Sequence, residues 1–172
     1  MKRNVKVLLA ILLQLTLLFG MIGFKYYTVH TGVPVLLKTA LIDPWDVFRG
    51  EYVRLGYEIS SIKAESVKDD LNLKGNQYDK KVYVALEKGD KYWNAVGIYE
   101  ERPDAGPNQV VLKARLLYYD QHQKEYRLQY GIESYYVPEG EGKRLENLRD
   151  LDVVVKVDRF GNSVIETVVP VK

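Results

Sequence analysis

Val7 to Phe24 is a run of 18 residues without a charged side chain, and no other feature of the chain restricts its folding as strongly. Gln14 and Thr16 are its only clearly polar members. As an α-helix such a run extends about 27 Å, close to the hydrocarbon thickness of a bilayer. A helix buried in a soluble core would normally show a polar face. Lys2, Arg3 and Lys6 precede the run, and only Lys25 follows closely. That asymmetry predicts an N-terminus in the cytoplasm and the bulk of the chain outside it, a single-pass protein of the cell membrane. Tyr26 and Tyr27 fall where an interfacial aromatic belt is expected. The rival reading is a cleaved signal peptide, which needs small residues at spaced positions after the apolar run. Phe24-Lys25-Tyr26-Tyr27-Thr28-Val29-His30 has no such pattern. The favoured division is a cytoplasmic N-terminus and transmembrane anchor over residues 1–25, then an extracytoplasmic β-rich domain over residues 26–172.

The rest of the chain is long enough for one sizeable core. Of the 25 basic residues, four lie in the first 25 positions, leaving 21 against 23 acidic ones beyond them. A domain with that slight negative excess lacks the concentrated basic surface that phosphate contacts need, so no nucleic acid is expected as a partner. The absence of cysteine excludes disulfides, thiolate metal sites and a cysteine nucleophile. The 14 tyrosines suit half-buried strands, where a ring packs and its hydroxyl reaches water.

Short runs of Val, Ile, Leu and Tyr recur from residue 33 onward, separated by turn residues, which predicts an antiparallel β domain. Val35 to Leu41 reads as a first strand, broken at Asp43-Pro44. From Glu51 to Ile59, Val53, Leu55, Tyr57 and Ile59 share one face, the period of a half-buried strand. Ser61 to Gln77 is polar, with a weak helical or loop stretch over Ala64 to Leu71. Three hairpins are expected: Lys81–Leu86 with Tyr92–Tyr99, Val110–Tyr119 with Tyr126–Tyr130, and Asp152–Val157 with Ser163–Val169. Glu133 to Val137 reads as strand, and Leu145 to Leu148 as a short helix. The fold class is therefore mainly β: a transmembrane helix, then eight to ten strands in a barrel-like or sandwich domain, with one or two short helices.

Asp43-Pro44-Trp45-Asp46-Val47-Phe48-Arg49-Gly50-Glu51-Tyr52-Val53-Arg54-Leu55-Gly56-Tyr57 resembles the signature of the bacterial GDYXXLXY protein family. Gly50, Tyr52, Leu55 and Tyr57 match the name-giving motif. Glu51 stands where the motif has Asp, which keeps the charge and adds one methylene. Tyr130 to Gly142, with Glu133, Tyr136, Pro138, Glu139 and Gly140, is similar to the family's second characteristic stretch. The order of anchor, first motif, β-rich middle and second motif also fits. The resemblance implies a membrane-anchored protein of unassigned function, and members tend to accompany multi-pass membrane domains.

The two motif segments are the candidate site. If they meet in space, Arg49 could pair bidentately with Glu133 or Glu139, and the remaining acids of the two segments, among Asp43, Asp46, Glu51, Glu133, Glu139 and Glu141, could take a hard cation. The more economical reading is structural: Arg49 fixes a turn, Gly50 provides a bulge, and Tyr52 and Tyr57 pack on opposite faces of one strand. No spacing matches HExxH, an EF-hand loop or a P-loop, and the two histidines, His30 and His122, sit in an anchor exit and a turn. Neither cofactor nor metal is expected. Type I signal peptidases also carry a β-rich domain behind an anchor, but their serine is missing after this one. The leading expectation is a non-enzymatic tethered β domain in contact with the lipid bilayer and a multi-pass membrane protein. An envelope hydrolase or peptidase-like enzyme using motif carboxylates, and an envelope ligand sensor, are the alternatives.

Overall fold

The computed structural model describes residues 3–40, 52–71, 79–136 and 151–170. The apolar run lies in helix α1 (Arg3–Thr31), which is long and apolar enough to cross a membrane. None of its apolar stretch is buried by the other described residues. Thr16 and Thr31 return their hydroxyls to the carbonyls of Leu12 and Tyr27, each at 2.8 Å, so these polar groups are satisfied within the helix. The helix continues past Lys25 through Thr31, since nothing in that stretch breaks it. Gly32 and Pro34 do, and Pro34 biases Val33 toward extended backbone.

Strand β1 (Val33–Ala40) therefore follows the helix with only Gly32 between them. The other strands are β2 (Tyr52–Arg54), β3 (Gly56–Tyr57), β4 (Ser61–Lys63), β5 (Lys68–Asp69), β6 (Lys80–Lys88) and β7 (Trp93–Tyr99). After these come β8 (Gln109–Asp120), β9 (Glu125–Gln129), β10 (Ser134–Tyr136), β11 (Leu151–Val157) and β12 (Ser163–Pro170). They form a four-stranded sheet in the order β12-β11-β1-β3, a six-stranded sheet in the order β4-β9-β8-β6-β7-β5, and a β10-β2 ribbon. Pairing is antiparallel except for the short parallel contact of β5 with β7. The three expected hairpins are present as β6–β7, β8–β9 and β11–β12, and each contains a register shift. Such bulges increase twist and let the sheets curl.

Both sheets contribute to one core. Val35 and Leu37 of β1 and Val153, Val155 and Val157 of β11 join Val82, Val84 and Leu86 of β6, Leu112 and Leu116 of β8, and Ile98 of β7. Within β1 and β11 these residues alternate with more exposed neighbours, the period of a sheet with one face in the core. A buried Asp152 on β11 pairs with Lys91 of the β6–β7 turn at 2.9 Å, a polar tie between the sheets.

The described residues hold twelve strands rather than eight to ten, for a specific reason. The expected strand over residues 51–59 changes partners as it runs. Tyr52–Arg54 pairs with β10, Gly56–Tyr57 pairs with β1, a 3-10 turn covers Glu58–Ser60, and Ser61–Lys63 pairs with β9. At the first switch the Leu55 amide donates to the Glu133 carbonyl at 2.7 Å, one position beyond the last pair of the β2–β10 ladder. One segment thus stitches the two sheets together at a corner. The polar stretch after it contributes two short strands, β4 and β5, with a 3-10 turn over Ala64–Ser66 in the stretch expected as weak helix or loop. The short helix expected at Leu145–Leu148 lies outside the described residues.

Candidate functional site

The two motif segments meet. In the β2–β10 ribbon Arg54 lies opposite Ser134, Val53 opposite Tyr135 and Tyr52 opposite Tyr136. Just beyond the ribbon the segments exchange tyrosines. The Tyr57 hydroxyl donates to the Ile132 carbonyl at 2.6 Å, and the Tyr130 hydroxyl donates to the Ile59 carbonyl at 2.7 Å. Each tyrosine comes from one segment and closes on the other's backbone, with Leu55, Ile59 and Ile132 buried around them. Burial, and secondarily the Glu133 charge, pushes both hydroxyls well above the ordinary tyrosine value. They remain neutral donors across the whole physiological range.

Glu133 organises the turn inside this clasp. Its carboxylate accepts from the amides of Tyr130 at 2.5 Å and Gly131 at 2.9 Å. Gly131 adopts a φ of 78°, a left-handed backbone that glycine takes without steric cost. Both carboxylate oxygens are therefore engaged by the protein's own backbone, and the turn they hold presents Ile132 to Tyr57. Leu55 and Tyr57 are core residues, whereas Tyr136 on β10 is 75% exposed. Tyr52 lies in β2. Asp43, Arg49, Gly50, Glu51, Pro138, Glu139 and Gly140 lie outside the described residues, and with them the expected ion pair of Arg49 with Glu133 or Glu139.

An open depression of about 420 Å³ beside the clasp is lined by Lys113, Arg115, Gln129, Tyr130 and Gly131. Its two cations are already engaged, Lys113 Nζ with Asn162 Oδ1 at 2.7 Å and Arg115 Nε with Asp79 at 3.1 Å. Among the described residues no group of three or more His, Asp or Glu side chains could hold a metal ion.

A second organised site was not anticipated from the sequence: the joint between α1 and the β11–β12 turn. Asp158, 3% exposed, accepts from the amides of Phe160 at 2.8 Å and Asn162 at 2.9 Å, and from the Asn162 side chain. It also accepts from the Thr28 hydroxyl at 2.8 Å, and Thr28 is itself buried. Burial opposes the charge on Asp158. The hydrogen bonds from Asn162, Thr28 and Phe160 together outweigh that penalty and hold its carboxyl below the usual carboxylate value. Gly161, at a φ of 85°, offers its carbonyl to the Lys113 amide of β8 at 2.8 Å. A Cβ there would stand 2.9 Å from the Val111 carbonyl oxygen. The turn therefore grips the helix on one side and the larger sheet on the other. Two local signals could have found it: a threonine in the last turns of an apolar helix, and Asp158-Arg159-Phe160-Gly161-Asn162 with its turn-forming ends.

Comparison with known proteins gives one match. The family model described as GDYXXLXY protein covers residues 14–168, from within α1 to near the end of β12. No curated protein and no solved structure matches the chain.

Proposed function

The chain belongs to the GDYXXLXY protein family, and from that premise we propose that it is a membrane-anchored, extracytoplasmic β domain serving as an accessory module to a multi-pass membrane protein. The observation that carries this reading is the apolar surface of α1. Side chains such as Leu8, Leu12, Leu17, Phe19 and Met21 are more than half exposed, and none of the described residues of the folded domain covers them. Lipid is the solvent in which that surface is stable, and a helix satisfies its own backbone hydrogen bonds there. The basic residues on its N-terminal side orient the β domain outward.

An interaction role is favoured over a catalytic one by what the motifs do. Leu55, Tyr57, Tyr130 and Glu133 build a corner of the fold, and both oxygens of the Glu133 carboxylate are occupied by the backbone amides of Tyr130 and Gly131. The same construction leaves the broad ring of Tyr136 on the surface of the ribbon, and tyrosine is favoured at interface centres. Gentle crosslinking followed by purification from detergent extracts tests the proposal. A multi-pass membrane protein recovered with the chain, and reduced with Tyr136→Ala at unchanged thermal stability, is the expected result. Recovery of the monomer alone contradicts it.

A further inference from the structure

The end of the anchor does not lead into a linker. Only Gly32 separates α1 from β1, and the Gly32 amide still bonds the Thr28 carbonyl at 3.0 Å. If the uncharged run ends at the lipid interface near Phe24, the helix from Lys25 to Thr28 rises about 6 Å above it, within the headgroup zone. The β11–β12 turn is fastened to that rising stretch by the Thr28–Asp158 hydrogen bond, and the Phe160 ring lies 6.4 Å from that of Tyr27. The turn is thereby held at the height of the headgroups.

Its chemistry suits that position. Phe160 is 44% exposed, and the Arg159 guanidinium sits 4.7 Å from its ring centroid. An apolar groove also runs from the helix onto β12, lined by Ile22, Lys25, Tyr26, Val29 and Val164. The apolar surface of the anchor thus continues onto the folded domain and carries cations at Lys25 and Arg159. The one acid of the turn, Asp158, is buried and spent on internal hydrogen bonds, so it does not oppose them at the surface.

Resting on the membrane reading above, we propose that the Arg159–Phe160 turn is a second membrane contact. Phe160 enters the interface of the bilayer that α1 crosses, and Arg159 with Lys25 meets lipid phosphates. Helix and turn together make two attachment points, which fix the tilt of the β domain on the membrane instead of leaving it to swing. An apolar ring paired with a basic side chain matches the lipid interface, where both requirements occur at the same depth.

The test uses the full chain, which has no native cysteine. Single variants Phe160→Cys, Arg159→Cys and Phe19→Cys are labelled with an environment-sensitive fluorophore and reconstituted in phosphatidylcholine–phosphatidylglycerol vesicles containing spin-labelled lipid with a shallow or a deep quencher. Labels at 160 and 159 are expected to lose most of their emission to the shallow quencher, and the label at 19 to the deep one. Quenching at 19 with none at 159 or 160 overturns the second contact while leaving the anchor intact, and would assign the turn to water or a protein partner. Absence of quenching at 19 overturns the anchor itself, and this proposal with it.

Discussion

At the scale of single residues, the tyrosine clasp makes the sharpest claims. Tyr57→Phe or Tyr130→Phe removes a buried donor and leaves the carbonyl of Ile132 or Ile59 unsatisfied. Each is expected to cost about 1–3 kcal/mol in denaturant unfolding of the detergent-solubilised protein. The two losses are not expected to add, because both hydroxyls tie the same pair of segments, and a double-mutant cycle measures the difference. Glu133→Ala, which frees two amides, is expected to destabilise more than Glu133→Gln, which keeps one acceptor oxygen. Equal stability of the two variants would remove the carboxylate from its turn-holding role. The inward face of Leu55, Tyr57 and Ile59 was legible in the sequence, because alternation along a strand is a local property. The partner of each tyrosine was not, because the carbonyls it reaches lie more than seventy residues away in the chain.

Among the elements, the joint between α1 and the β11–β12 turn governs how the apolar helix is coupled to the domain. Thr28→Val keeps the shape but removes a donor to a buried carboxylate, a change expected to cost about 1.5–3 kcal/mol of local stability. Hydrogen exchange at the Phe160 and Asn162 amides reports it directly. The joint also carries a pH dependence. Since the Asp158 carboxyl is held below its ordinary value of 3.8, its contribution is complete above that value. It is lost as pH falls through the lower, folded-state value. Protection of these amides, measured against intrinsic exchange at the same pH, should therefore fall at strongly acidic pH in the parent chain, and much less so in Asp158→Asn. Gly32→Ala places a Cβ 2.5 Å from the Thr28 carbonyl oxygen and 3.0 Å from Lys156 Cβ, so the helix end must shift off β11. A lower unfolding midpoint is expected, by the about 1–3 kcal/mol typical of overpacking. The three hairpins were readable because their turns are encoded locally in Lys88-Gly89-Asp90, Asp120 to Lys124 and Arg159 to Asn162. The splitting of residues 52–63 was not, since it depends on three partner strands that no local pattern names.

For the whole molecule, the sequence carried the class: an apolar helix followed by a β-rich domain with its motifs in two segments. It left open how the sheets close, which the structure resolves as two curled sheets around one core, stitched by the segment from Gly56 to Lys63, which pairs first with β1 and then with β9, and again where Gly161 meets Lys113. The central claim is that this core sits outside the cytoplasm on a helix embedded in lipid. Because the chain has no cysteine, accessibility can be read from single introduced thiols. Glu101→Cys in the exposed β7–β8 loop and Asn4→Cys at the start of α1 are treated in intact cells with a membrane-impermeant maleimide. The account predicts labelling at 101 without permeabilisation, labelling at 4 only after it, and both variants in the membrane fraction. Protection of 101 until the cells are opened, or recovery of the intact chain from the soluble fraction, would contradict it.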